Sequence, residues 1–357
     1  MGERRRPDPA ELSIREAVDR YLRRRRPDAT DRSIEGWYYR LKLFVEWCES
    51  VGIETVGDLQ RYDLDEYYEM RSSEVAPVTL EGEMWTLTMF MEFLENLGAV
   101  EEDLSEAVRI PDLDADERTS EIKLSTDAAL ALLRYYRSSS DQGTRKHVLL
   151  ELLWSTGARQ GGLRALDLRD AHLDDAYLDF RHRPETDTPL KNKLRGERPV
   201  AIGDAVVSSL RTYIRDHRYD VRDEHGRQPL LASTRGRPSP QTFRTWTYGA
   251  TIPCEHTECP HGKERSTCEW VSYHEASKCP SSRSPHQIRT GAITWMLNRG
   301  WPPEDVAERV NASVEKIEQH YDKADIEERR RRLRNRMEDR RRPILDQLEI
   351  HAHSNDT

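Results

Sequence analysis

The sequence predicts a mainly helical chain in two domains with one small β-hairpin, and three observations carry that prediction. Four apolar stripes at helical spacing fill the first hundred residues. An acidic stretch without periodicity, residues 101–123, follows them. Beyond it helical patterns resume, interrupted by two alternating segments, 177–182 and 198–202, that read as paired strands. A chain of 357 residues also exceeds one typical core and suits two domains.

Residues 1–10, MGERRRPDPA, read as a disordered N-terminus. A helical domain spans 11–100. Its first helix, 11–26, is opened by Ser13 and carries Ile14, Ala17, Val18, Tyr21 and Leu22 on one face. The second starts at Ser33, and its stripe of Ile34, Trp37, Leu41, Phe44, Val45 and Cys48 ends near Gly52. A shorter helix is expected over 59–70. The fourth takes Thr79 as N-cap, runs through Met84, Leu87, Phe90, Met91 and Leu94, and stops at Gly98. No catalytic constellation appears among these residues. The linker 101–123 is acidic and contains Pro111, so it is expected to be extended and mobile.

A second domain spans 124–326. Ser125 caps a helix through Tyr136, and 144–155 is another, with Val148, Leu149, Leu152 and Leu153 buried. A turn at Gly157 then presents Arg159 at the start of a helix, where backbone amides and a guanidinium together favour an anion. The hairpin connection holds Lys191 and Lys193, and a lysine on such a turn can reach into a site and donate a proton. Further on, His286 and Arg289 lie three apart on one helical face, and Tyr321 follows thirty-two residues after Arg289. Together they offer a proton-transfer group, an anion clamp and an oxygen nucleophile, the set that phosphoryl transfer to a protein side chain requires. Each alone reads as a surface pair or a packing residue; Arg159 supplies the second clamp. The basic tail, 327–357, reads either as a solvated helix or as a segment that contacts DNA or a neighbouring protomer.

In that order, the Gly157-Ala158-Arg159 turn with Leu163 and Leu166, the hairpin lysine, the His286-x-x-Arg289 helix and Tyr321 resemble the tyrosine recombinases, or phage-type integrases. The resemblance implies a helical core-binding domain of SAM-like type followed by an α+β catalytic domain of the DNA breaking-rejoining type, the two clamping duplex DNA. It implies that Tyr321 attacks a scissile phosphate to give a 3′-phosphotyrosyl link and a free 5′-hydroxyl. Arg159 and Arg289 would stabilise the non-bridging oxygens, Lys191 would protonate the leaving oxygen, with Lys193 as the alternative, and His286 would assist proton transfer. Neither ATP nor a catalytic metal is implied, and the enzyme would work as a dimer or tetramer of itself on DNA. The family carries a further His or Trp about nine residues before the nucleophile, in a Gly-His turn. Here the segment is VNASVEKIEQHY, and Asn311, which can donate a hydrogen bond but cannot take a proton, stands near that position. Two readings sit beside this one: a type IB topoisomerase-like enzyme with the same residues, and a DNA-binding regulator that kept the fold and lost catalysis.

Composition adds the setting. No run of apolar residues is long enough to span a membrane and the N-terminus has no signal-peptide core, so a soluble, cytoplasmic protein is expected. Cys254, Cys259, Cys268 and Cys279 cluster in an insertion, 253–280, ahead of the His286 helix. Four thiols are the number that closes a structural zinc site, with His256, His261 and His274 as substitutes. Their spacings of four, eight and ten intervening residues contain no CxxC pair, and a loop of reduced thiols is the alternative. The formal charge of −9 does not exclude DNA, because binding needs only a local basic groove. Nine lysines against 47 arginines, with abundant Asp and Glu, suit a high-salt cytoplasm, and a GC-rich genome would also favour arginine; the insertion 253–280 resembles that expected of integrases of halophilic archaea.

If the acidic surface is a salt adaptation, like charges repel over about 10 Å at 0.1 M salt and only about 3 Å at 1 M. The melting temperature is then expected to rise from 0.1 to about 3 M KCl. A melting temperature highest at the lowest salt would leave codon composition as the cause of the arginine bias.

Overall fold

A computed structural model describes residues 8–114, 122–321, Arg330 and Arg334, with residues 319–321 described by backbone alone. The chain divides into two compact units, Met1–Ser120 and Glu121–Thr357. The tail expected over 327–357 lies outside the described residues, apart from Arg330 and Arg334, which are helical.

The first unit contains four α-helices: α1 (Ile14–Arg25), α2 (Asp31–Val51), α3 (Arg61–Glu74) and α4 (Pro77–Leu97). Ser13 closes a capping box with Glu16 at the head of α1. Gly52 and Gly98 end α2 and α4 in the left-handed conformation that glycine adopts at least cost. Two helix starts lie upstream of the residues expected to cap them. Thr30 caps α2 by accepting from the Ser33 amide, and α4 begins at Pro77, whose fixed φ suits a first helical position. The stripes converge on one core that includes Tyr21, Phe44, Tyr67, Phe90 and Leu94. A bidentate pair from Arg71 to Glu83, 2.9 Å for each bond, locks α3 to α4.

The segment after α4 departs from the expected extended linker. Residues 104–107 form a short 3-10 turn, and Leu104 and Val108 are buried in the core of this unit. Two apolar residues suffice to dock it, too few to show as periodicity. The N-terminus is likewise ordered from Asp8, which caps a 3-10 turn over Pro9–Glu11.

The second unit is built round α6 (Arg145–Thr156), reached through α5 (Thr126–Ser138), which Ser125 caps. Helix α6 is buried on all sides, which marks a central helix. Its Glu151 is held by Arg137 and by His147. Gly157 ends α6, and the short helix α7 (Gln160–Ala165) follows. Strands β1 (Ala171–His172), β2 (Tyr177–Phe180) and β3 (Arg198–Ala201) form an antiparallel sheet in the order β1-β2-β3. Leu178, Phe180 and Val200 point into the core. The hairpin was legible in the sequence; β1, only two residues long, was not. Helices α8 (Asp204–Thr212), α9 (Pro240–Ala250), α10 (Pro285–Asn298), α11 (Pro303–Val310) and α12 (Val314–Tyr321) complete the unit. Buried Asp167 gathers Arg227 and Arg237, pinning the chain after α7 to the 227–237 loop. No helix among the described residues is long and apolar enough to cross a membrane.

Helix α10 crosses close to the chain at Leu124, and Gly291 makes this approach possible. A Cβ there would strike the Leu124 carbonyl and stand 3.0 Å from the Trp154 ring. Gly291→Ala is expected to cost about 1–3 kcal/mol by overpacking. Gly249→Ala, at a helical position with open space around it, should be neutral or stabilise by up to about 1 kcal/mol. Thermal unfolding of both variants checks this, and equal stability of the two would contradict it.

Candidate active site

The site is organised at the C-terminal end of α11. A helix leaves its last carbonyls without intrahelical donors, and their partial negative charge favours cations. Here three successive carbonyls each accept from a different arginine. Arg198 Nε donates to Arg309 O at 2.8 Å, Arg289 Nη1 to Val310 O at 2.8 Å, and Arg159 Nη1 to Asn311 O at 2.5 Å. Arg289 also donates to Gly157 O at 2.7 Å, so one guanidinium joins the end of α6 to the end of α11. Arg309 donates to Ser155 O and Ala201 O, both at 2.8 Å, and adds a fourth cation.

Local structure explains each placement. Gly157 takes φ 57° as the C-cap of α6, and a Cβ there would stand 2.9 Å from Val310 Cγ1. The chain can therefore turn tightly against α11 and present Arg159 as the N-cap residue of α7. Ser284 and Gln287 form a capping box at the start of α10, which places His286 in its first turn and Arg289 one turn on. Arg289 is buried, whereas His286 is solvent-accessible. Lys191 lies in the connection from β2 to β3 and is exposed.

The cations act on one another. Partial desolvation by the surrounding chain, then the charges of Arg289, Arg159 and Lys191, hold the His286 imidazole below its ordinary value. Lys191 is likewise lowered, by desolvation first and then by Arg159, Lys316 and Arg289. Arg198 is pushed down to about 10 by burial, then by Arg289, Arg159 and Arg309. A neutral imidazole can accept a proton and a lysine of lowered pKa can give one up, so the arrangement favours proton transfer beside an anion.

Arg159, Lys191, His286 and Arg289 are thus brought together. Lys193 stands at φ 52°, with its amide turned back to Leu190 O. Asn311 is the left-handed residue that ends α11, φ 53°, so it occupies the conformation of a glycine in a Gly-His turn, and the residue after it is Ala312. Its carbonyl holds Arg159, while its side-chain oxygen accepts from Asn192 at 2.8 Å. Asn311 therefore serves as a tie between the hairpin connection and Arg159. Tyr321 is the last residue of α12, and its side chain lies outside the described residues. Sequence reasoning missed Arg198, Arg309 and Lys316. Among 47 arginines, spacing gives no sign of which point inward.

The insertion folds as turns with three short 3-10 helices. Lys146 and Arg265 both bind Glu255 at 2.7 Å, and Arg283 N donates to Thr251 Oγ1 just ahead of α10. Cys279 is buried and the other three thiols are partly so. Among the described residues, three ligand atoms lie within 4.8 Å of one another at Asp187, Glu224 and His225, all exposed, and not at the four thiols. No three of the four thiols lie within 4.8 Å of one another, and no chemistry is assigned to a metal.

The family model described as the phage integrase family matches residues 123–328. Among solved structures, the Tn1549 transposon integrase in complex with a circular intermediate DNA is similar at 13% identity and a TM-score of 0.63, covering 90% of this chain and 99% of that one. A lambda integrase dimer bound to a COC′ core site is similar at 14% identity and a TM-score of 0.58, covering 93% of this chain and 82% of that one. The N-terminal domain of a phage integrase/site-specific recombinase from Haloarcula marismortui shares 50% identity over 28% of this chain and 97% of its own, with a TM-score of 0.28. No curated protein matches the chain.

The lowered His286 gives a direct check. Its NMR titration midpoint is expected below the ordinary imidazole value of about 6.5, and Arg159→Gln is expected to raise it by removing a neighbouring cation. A midpoint above that value, or one indifferent to Arg159, would contradict the charge coupling.

Proposed function

The chain belongs to the phage integrase family, and on that premise we propose that it is a site-specific recombinase that cleaves and rejoins duplex DNA through a 3′-phosphotyrosine on Tyr321. The observation that carries this reading is the meeting of Arg159 and Arg289 on the successive carbonyls of Val310 and Asn311, with Lys191 and His286 within reach of the same charges. Two guanidiniums anchored there can bind the two non-bridging oxygens of a phosphodiester. As charge develops on those oxygens in the transition state, the preorganised donors stabilise it without reorganising.

The tyrosine oxygen forms a bond to phosphorus and the bond to the 5′-oxygen breaks. Neutral His286 assists removal of the phenolic proton, and Lys191 protonates the departing 5′-oxygen. The bond energy is kept in the phosphotyrosine, so a 5′-hydroxyl from a partner duplex can attack it and expel Tyr321. Strand exchange of this kind needs a second active site, so the working form is a dimer or tetramer on DNA. The DNA-bound integrases of similar fold support duplex DNA as the partner.

Tyr321→Phe removes only the nucleophilic oxygen. On a nicked suicide duplex the wild type is expected to accumulate a covalent protein–DNA adduct and the variant none, with DNA affinity unchanged within about threefold, as expected when only transition-state chemistry is lost. An adduct formed by Tyr321→Phe would refute Tyr321 as nucleophile, and exclusive religation of the original strand between labelled duplexes would favour the topoisomerase-like reading.

A further inference from the structure

We propose that Arg198 is a positioning residue for strand cleavage, holding the β2–β3 connection, and with it Lys191, against the carbonyl end of α11. The inference rests on the recombinase reading above. Arg198 opens β3 opposite Phe180 of β2, and its guanidinium lies over the Phe180 ring with its carbon 4.5 Å from the centroid. From there it makes two bonds in different directions, to Arg309 O at 2.8 Å and to Gly196 O at 2.9 Å. Gly196 belongs to the connection that carries Lys191, and Arg309 belongs to α11, so one planar side chain spans the two.

The contact is close and has a second tie. A Cβ at Gly196 would stand 2.6 Å from Asn311 Nδ2 and 3.2 Å from Leu190 Cβ, so the connection is pressed onto the turn that ends α11. Asn192, next to Lys191, donates to the Asn311 side chain at 2.8 Å. Lys191 is therefore flanked by two ties to α11, through Asn192 on one side and through Gly196 and Arg198 on the other. Lysine could not replace Arg198, because one ammonium lacks the flat fork that stacks on a ring and reaches two carbonyls together.

The charge is informative as well. Among the described residues no carboxylate pairs with Arg198, and it is half-buried beside Arg289, Arg159 and Arg309. A buried cation among cations is costly unless hydrogen-bonded, and both bonds go to carbonyls. A neutral donor would tie two loops at lower cost, so retaining the guanidinium is consistent with an anion bound nearby, where its charge also adds to the field.

The test compares two suicide duplexes, one with oxygen and one with sulfur at the 5′-bridging position, for the full chain and for Arg198→Met and Arg198→Lys. Methionine keeps bulk and removes both donors and charge. On the oxygen duplex Arg198→Met is expected to cleave roughly a hundredfold more slowly, a loss in the range of a misplaced general acid. On the sulfur duplex, whose thiolate leaves without a proton, it should return to within a few-fold of wild type. Arg198→Lys, which restores charge without the fork, should stay slow on oxygen and be rescued by sulfur. Equal loss on both duplexes by folded variants, judged by an unchanged melting temperature, would overturn the proposal, as would normal cleavage of the oxygen duplex. If the wild type forms no adduct on either duplex, the recombinase reading itself falls, and this inference with it.

Discussion

Three carbonyls in a row at the end of one short helix hold the central arginines of the second unit in place. Residues 309 and 310 of α11 and its capping residue 311 each receive a guanidinium, from β3, from α10 and from the start of α7. Those donors are far apart in sequence, yet their positions are fixed relative to one another by bonds to consecutive atoms of one backbone. A carbonyl satisfies an N–H without cancelling the charge behind it. Elsewhere in the same unit arginines meet carboxylates instead: Arg137 at Glu151, and Arg227 and Arg237 at Asp167. There each guanidinium shares its charge with a carboxylate, whereas these three bonds at the end of α11 go to carbonyls.

A net charge of −9 leaves room for a local basic group of this kind. Arg159, Arg198, Arg289, Arg309 and Lys191 lie close enough to act on one another, and a local field, rather than the average, governs an approaching anion. The same field tunes the proton carriers. Desolvation first, and then the neighbouring cations, lower Lys191 and His286 together, which brings a lysine nearer to giving up its proton and favours a neutral imidazole. Such an arrangement suits both anion binding and proton transfer.

The sequence showed most of this, and the gaps have physical causes. His286 and Arg289 were legible because a helix puts residues three apart on one face, and Gly157 because a turn before a helix needs positive φ. Arg198 and Arg309 were not, since an arginine directed inward by a neighbouring carbonyl has the same local pattern as one facing water. Asn311 was singled out for its side chain; that its left-handed backbone also turns its carbonyl to Arg159 could not be read from residue type. The segment after α4 looked like a linker because Leu104 and Val108 dock it without any periodic stripe. Four clustered thiols suggested zinc from number alone, since spacing without a CxxC pair does not say which of them meet. Helix starts were misplaced by a few residues where Thr30 and Pro77 act ahead of the expected caps.

The account stands or falls on whether the guanidiniums at α11 act by neutralising charge on the scissile phosphate. A suicide duplex with a methylphosphonate at that position, which lacks one non-bridging charge, isolates the effect. Arg159→Ala and Arg289→Ala should each lose roughly a hundredfold or more in cleavage of the ordinary phosphate, comparable to removing one donor to a developing oxyanion, and at least one should recover most of that loss on the methylphosphonate. An equal deficit on both duplexes for both variants would mean that these arginines shape the fold and do not carry the chemistry.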